Sequence, residues 1–203
     1  KTTLTRLIPR FLDPDAGAVR LGGVDIRDVR LSAVRDRIGL VTQDVHLFDA
    51  SVRDNVTLFD ETVPDPRIVA AIEALGLGAW LRALPAGLDT VVGTGGGGLS
   101  AGQAQVLTCA RVLLRDPDIV ILDEASSRLD PATERLVQGA LGRLLEGRTG
   151  VIVAHRLATL ELADDIVVME DGRVVEHGTR LDLAADRDSR FAGLLRTAEE
   201  VTA

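Results

Sequence analysis

Four short runs of β-branched and aliphatic residues, at Ile38–Val41, Ile119–Asp123, Gly150–Ala154 and Asp165–Glu170, alternate along the chain with longer amphipathic segments. Each run is too brief and too continuously apolar for a half-exposed strand, so each is read as a strand buried on both faces. Buried strands separated by helical crossovers make an α/β domain with a mainly parallel sheet. After the last run, Asp171-Gly172 stands between Ile166–Met169 and Arg173–Glu176. Gly supplies the positive φ of a tight primed turn, so an antiparallel β edge is expected there. Two helices follow from capping and spacing. Asp130-Pro131 places an N-cap before a first-turn proline, and Leu136, Val137, Ala140, Leu141, Leu144 and Leu145 form one apolar stripe ending before Gly147. Ser100 and Gln103 have capping-box spacing, and Val106, Leu107, Ala110, Leu113 and Leu114 continue one face until Asp116-Pro117. Between about residues 44 and 116 there is no parallel-strand signal, while Ile68–Leu75 and the Ser100 helix suggest an inserted helical subdomain. The stretch Gly93–Gly98, nearly all glycine, reads as a mobile loop leading into that helix.

Composition narrows the function classes. With 203 residues, 46% hydrophobic and 27% charged, the chain is long enough for a sizeable core and lies far from disordered or collagen-like sequences. Its formal net charge of −8 is a poor electrostatic footprint for nucleic acid. The single Cys109 forms no internal disulfide, no secretory leader pattern opens the chain, and no apolar run approaches the roughly 20 residues of a membrane helix. These features point to a cytosolic domain. The chain opens on Lys1-Thr2-Thr3, which reads as a piece whose upstream part is missing, and Lys1 is its only lysine.

The residues that carry chemistry are spread along the chain. Ile119–Leu122 runs into Asp123-Glu124, which puts two carboxylates at the carboxyl edge of a parallel sheet, where ligands of open α/β folds bind. Asp123 suits a hard cation such as Mg²⁺, and Glu124 could orient or deprotonate a water; the alternative is a pair of solvated acids capping a strand. Lys1-Thr2-Thr3 before Leu4–Leu7 has the form of a phosphate-loop tail, or of an ordinary terminus. Leu99-Ser100-Ala101-Gly102-Gln103 opens a helix whose exposed amides suit an anion, or Ser100 is a cap alone. Gln43 after one strand and His155 after another each have a surface reading beside a functional one.

The joint order is what carries the functional inference: Lys-Thr-Thr, Gln43, Leu-Ser-x-Gly-Gln, four aliphatics with Asp-Glu, Leu129-Asp130, then Ala154-His155-Arg156. In that order the chain resembles the nucleotide-binding domain of ABC transporters, over nearly all 203 residues. Phe11-Leu12-Asp13-Pro14-Asp15-Ala16-Gly17, Leu47-Phe48-Asp49-Ala50-Ser51-Val52-Arg53-Asp54-Asn55-Val56 and Val91-Val92-Gly93 point to the exporter branch. The resemblance implies a P-loop NTPase core of RecA-like type, with residues 1–43 and 118–203 forming its two parts and 44–117 the helical subdomain. It implies ATP and Mg²⁺ as ligands. Lys1, Thr2 and Thr3 would end the Walker A loop, with Thr2 on the metal. Gln43 would sense metal and water, Asp123 would be the Walker B metal ligand, Glu124 the catalytic carboxylate and His155 the switch histidine. Ser100, Ala101, Gly102 and Gln103 would act on ATP held by a second nucleotide-binding domain, identical or not, with Asp130 at the same interface. The implied partner is a transmembrane domain, fused or separate, and the implied place the cytoplasmic face of the cell membrane.

The sequence departs from the family at several points. Ala101 stands where Gly is usual, Ala104-Gln105-Val106 replaces Arg-Gln-Arg, Thr94 replaces a glutamate, and no Tyr is present to stack on adenine. Two rival readings are a soluble ABC-type ATPase of DNA repair or translation and a degenerate domain that dimerises without hydrolysis. The first predicts a coiled-coil insertion, a zinc module or a basic surface, none of which the sequence shows.

Overall fold

The computed structural model describes residues 1–42, 44–93, 99–123, 130–154 and 157–202. The chain opens on α1 (Thr2–Leu7), the short hairpin strands β1 (Arg20–Leu21) and β2 (Val24–Asp25), α2 (Leu31–Asp36) and β3 (Ile38–Thr42). The middle holds β4 (Ala50–Ser51), α3 (Val52–Thr57), α4 (Asp65–Ala74), α5 (Gly78–Ala83), β5 (Val91–Val92) and α6 (Ala101–Leu114). The last part runs through β6 (Ile119–Asp123), α7 (Pro131–Leu145), β7 (Thr149–Val153), α8 (Leu157–Leu160), β8 (Asp165–Glu170), β9 (Arg173–Thr179), α9 (Arg180–Ala185) and α10 (Arg190–Thr202).

Strands β3, β6 and β7 form a parallel sheet with β6 in the centre. Its two faces follow from the period-2 alternation of side chains. Val41, Val120 and Leu122 belong to the main core with Val106, Leu107 and Ala110 of α6 and Val137, Ala140, Leu141 and Leu144 of α7. Ile38 and Ile121 belong to a second core on the other face, with Ile26, Val34 and half-buried Ile8. Central β6 is therefore covered on both sides, which is why its apolar run is unbroken. The main core also takes in Ile68, Ile72 and Leu75 at α4 and Leu81 of α5, so the middle helices and the sheet share one apolar interior.

The expected caps are present. Ser100 accepts from the Gln103 amide while the Gln103 side chain accepts from the Ser100 amide, a complete capping box on α6. Asp130 accepts from the amides of Ala132 and Thr133, and Pro131 opens α7. At the turn between β8 and β9, Asp171 and Gly172 both have positive φ, at 46° and 75°, as the primed hairpin requires.

Strand β8 differs from the reading of a strand buried on both faces. It pairs antiparallel with β9, and its exposure alternates, with Ile166 and Val168 buried and Val167 about half exposed. Ile166 and Val168 pack with Phe191 of α10 on one face only. A short aliphatic run is compatible with either environment, because periodicity is invisible when every residue is apolar. Glu176 of β9 fixes α10 by accepting from the amides of Phe191 and Arg190 and from the Ser189 hydroxyl. Those bonds, the Phe191 amide foremost, hold its carboxyl below the usual carboxylate range. The glycine loop expected at Gly93–Gly98 lies, beyond Gly93 itself, outside the described residues. Among the described residues no helix is long and apolar enough to cross a membrane.

Candidate nucleotide site

The parallel sheet brings its chemistry to one edge by register. Thr42, Asp123 and Val153 are Cα partners in a single row at the carboxyl ends of β3, β6 and β7. Each strand has reached its last paired residue there, and the chain continues into Gln43 after the first, Glu124 after the second, and Ala154-His155 after the third. The carboxyl edge of an open parallel sheet is where such folds bind ligands.

Asp123 lines a cavity of about 460 Å³ together with Thr5, Arg6, Phe11, Leu12, Leu40 and Thr42. The wall opposite the sheet is α1, which packs against β6 and β7. Its Thr5 is almost fully buried, while Lys1 at the head of the helix is exposed, as is Thr3. Of Thr2 only the backbone, the first residue of α1, is described. The Oδ1 atom of Asp123 is buried and has no hydrogen-bond partner among the described residues. A buried carboxylate oxygen without a donor costs roughly 1–3 kcal/mol, a cost that a ligand meeting the atom offsets. No group of three or more His, Cys, Asp or Glu side chains gathers to hold a metal among the described residues. A single cavity-lining carboxylate with one oxygen unpartnered among the described residues fits Mg²⁺, which binds through one or two carboxylates plus substrate phosphate and water rather than an all-protein cage.

A second group of expected residues gathers elsewhere. The head of α6 lies against the first turn of α7: a Cβ on Gly102 would stand 2.2 Å from the Thr133 Cγ2. Only glycine permits this approach, so Gly102 is buried against Thr133 while Ser100 and Ala101 stay exposed beside it. Asp130 is exposed at the head of α7, and its carboxyl is held below the usual range by the Thr133 side chain first and by the backbone amides of Thr133 and Ala132. Gln103 is committed to the capping box. Ser100, Ala101, Gly102, Gln103 and Asp130 therefore make one edge of the surface, and Lys1, Thr2, Thr3 and Asp123 belong to the α1 and sheet-edge group. Gln43, Glu124 and His155, with Thr94 and Leu129, lie outside the described residues.

Sequence reading missed two features. Thr5, Arg6 and Thr42 line the cavity, and the row shared by Thr42 and Asp123 was signalled only by the parallel pairing itself. Buried Asn55 of α3 and half-buried Arg111 of α6 form a polar network, which no local sequence signal announces.

Comparison with known proteins places these features in one family. The family model described as ABC transporter matches residues 1–127. The chain is 48% identical over 195 residues to an ATP-dependent lipid A-core flippase of Thiobacillus denitrificans, a match covering 96% of this chain and 34% of the relative. It is 42% identical over 200 residues to ABC transporter B family member 21 of Arabidopsis thaliana, covering 98% of this chain and 15% of that protein. Among solved structures, a bacterial Atm1-family ABC exporter with ATP bound superposes with a TM-score of 0.84 at 34% identity, over 97% of this chain and 34% of that one. The chain spans about a third of the length of the flippases it matches. With the sheet-edge carboxylate, the capped α6 and this family match over more than half its length, the chain belongs to the ABC transporter family.

Proposed function

We propose that the chain is the ATP-binding and ATP-hydrolysing domain of an ABC exporter, working as a pair of such domains that close on ATP to drive a transmembrane domain. The observation that carries this reading is Asp123 at the carboxyl end of the central strand, lining a cavity with Thr5 and Arg6 of α1, its buried Oδ1 without a partner among the described residues. The relatives named as an ATP-dependent flippase and as an ATP-bound exporter support the same reading.

Hydrolysis of a phosphoanhydride is accelerated mainly by positioning and by stabilising charge on the transferred group. Asp123 and the Thr2 hydroxyl are the ligands this chain offers to Mg²⁺, which when bound would neutralise charge on the β- and γ-phosphates. Lys1, at the head of α1, offers a cation to the same phosphates. Glu124 follows Asp123 in the chain and is assigned the attacking water, which it orients and from which it accepts the proton. Gln43 and His155 extend the neighbouring strands β3 and β7, and are assigned to the water and to the γ-phosphate. The edge at Ser100, Ala101, Gly102, Gln103 and Asp130, exposed at Ser100, Ala101 and Asp130, is assigned to ATP held by a second such domain, so one chain carries two half-sites. A partner domain, a transmembrane domain fused or separate, and a place at the cytoplasmic face of the membrane belong to this proposal. In domain terms, 1–43 and 118–203 form the nucleotide core and 44–117 the helical subdomain.

The test is Glu124→Gln in the native gene product. The expected result is loss of ATP turnover together with a stable nucleotide-bound dimer, read by phosphate release and by size-exclusion chromatography with light scattering. An unchanged rate would remove Glu124 from the role assigned here.

A further inference from the structure

The two helix heads that carry Ser100 and Asp130 meet at one point. Gly102, the second residue of α6, is buried against Thr133 in the first turn of α7, whereas its neighbour Ala101 is exposed. A Cβ at position 102 would stand 2.2 Å from Thr133 Cγ2, far inside any real contact. The next atoms it would meet are Thr133 Cβ at 3.5 Å and the Thr133 carbonyl oxygen at 3.6 Å, both ordinary contacts. A single methyl group on Thr133 therefore fills the space that a side chain at 102 would need. Gly102 is helical and has no positive φ, so its backbone conformation does not call for glycine. Glycine in a helix is less favourable than alanine, and here the close approach of α7 is what calls for it.

Thr133 is poorly placed to swing that methyl aside. Its branched Cβ restricts χ1 on a helix, and its hydroxyl is engaged at Asp130. The Thr133 side chain leads the contacts that hold the Asp130 carboxyl below its usual range, ahead of the Thr133 amide at 3.1 Å and the Ala132 amide at 3.0 Å. One side chain thus touches both parts of the edge, with its methyl on Gly102 and its hydroxyl on Asp130. Farther along, α6 and α7 share the main core through Val106, Leu107 and Ala110 on one helix and Val137, Ala140 and Leu141 on the other. That apolar packing carries the stability of the pair, which leaves the contact at Thr133 to fix the heads alone.

We propose that Thr133 is a positioning residue for ATP hydrolysis: seated on Gly102 and bonded to Asp130, it sets the spacing between the Ser100 head of α6 and the Asp130 head of α7. The proposal rests on the functional reading above, in which that edge meets ATP held by a second domain. Gly102 is then a glycine because of Thr133, and not because a nucleotide needs the room. This distinction is measurable, because residues that act through one another have non-additive effects.

The experiment is a double-mutant cycle in the native gene product, Gly102→Ala against Thr133→Ser, with kcat normalised to titrated nucleotide-binding sites so that the folded fraction cancels. Gly102→Ala forces the two heads apart by on the order of 1 Å and should lower kcat between about 10- and 100-fold. The Kd for ATP should stay within about 3-fold, because the chain's own phosphate site is assigned to α1 and the sheet edge. Thr133→Ser removes the methyl, keeps the hydroxyl, and should lower kcat by no more than about 3-fold. In that background Gly102→Ala should cost less than about 3-fold more, since the remaining neighbours lie at ordinary contact distance. The same loss from Gly102→Ala in both backgrounds, no loss in the first, or a loss in Kd instead of kcat overturns the proposal while leaving the ATPase reading intact. If Gly102→Ala leaves too few binding sites to titrate, Thr133→Val takes its place, keeping a methyl toward Gly102 and dropping the hydroxyl. It should lower kcat at least about 3-fold with the Kd for ATP within about 3-fold, and an unchanged kcat overturns the proposal. A native product that hydrolyses no ATP defeats the functional reading, and this proposal with it.

Discussion

Asp123→Asn is expected to reduce Mg²⁺-dependent ATP hydrolysis by at least about 100-fold while leaving the melting temperature no lower than that of the native protein. The two halves of this expectation have one cause. Asp123 ends the central strand of the sheet with one carboxylate oxygen buried and unpartnered among the described residues, an arrangement that weakens the fold by itself. Asn keeps the shape of the side chain and removes the formal charge, so the fold is relieved of a buried anionic oxygen while the metal loses its ligand. Sites held at a cost to stability are those that function requires. Enzymatic phosphate release and differential scanning calorimetry on the same preparation check both halves. A drop in melting temperature of more than about 4 °C, which for a domain of this size is on the order of 1–2 kcal/mol, would mean that Asp123 has a structural partner and that the reading of its free oxygen is mistaken.

The second large effect is on stability and comes from Gly39. This residue sits within β3 on the face covered by α6, where a Cβ would stand 2.2 Å from Val112 Cγ1 and 3.0 Å from Pro117 Cγ. Val112 is buried on a helix, and its β-branched side chain has essentially one rotamer there, so it cannot step aside. Gly39→Ala should therefore cost about 2–3 kcal/mol by overpacking, seen as a fall of about 5–10 °C in melting temperature. The cause is local and can be undone locally. Val112→Ala removes the obstructing methyl, and the pair Gly39→Ala with Val112→Ala should be no less stable than Val112→Ala alone within about 0.5 kcal/mol. Strict additivity of the two losses would show that the close approach of α6 to β3 is not what Gly39 serves.

Much of this architecture is legible in the order of residues, for reasons that differ from place to place. The runs at Ile38 and Ile119 announce parallel strands because strands buried on both faces exclude polar residues. The run at Gly150 gives a parallel edge strand whose Thr149 and Gly150 are exposed and whose Val151 and Ile152 are half-buried. The caps at Ser100 and Asp130 announce helices because orphan amides need local acceptors. Asp171-Gly172 is legible for a similarly local reason: its backbone conformation is one that few residue pairs adopt. What local chemistry does not carry is the partner across space. The aliphatic run at Ile166 reads the same whether one face or two are covered, and only the packing of Phe191 against Ile166 and Val168 decides it. Thr42 enters the site solely because β3 pairs with β6 in the register that sets it beside Asp123. Asn55 and Arg111 are 56 positions apart, and nothing near either one names the other. The departures at Ala101 and at Ala104-Gln105-Val106 also acquire a context. Ala101 is exposed at the head of α6 and leaves the capping box intact, whereas Gln105 and Val106 turn inward and are buried.

The carboxyl edge of the β3, β6 and β7 sheet, as an ATP-hydrolysing site, is the core of the proposed function. The most direct measurement is the rate of inorganic phosphate release from ATP by the native gene product, with Mg²⁺ present and again after its removal by chelation. Turnover is expected in the presence of Mg²⁺, with its loss on chelation and its return when Mg²⁺ is restored. Nucleotide binding with no phosphate release under any of these conditions would contradict it and favour a domain that pairs with its partner without hydrolysis.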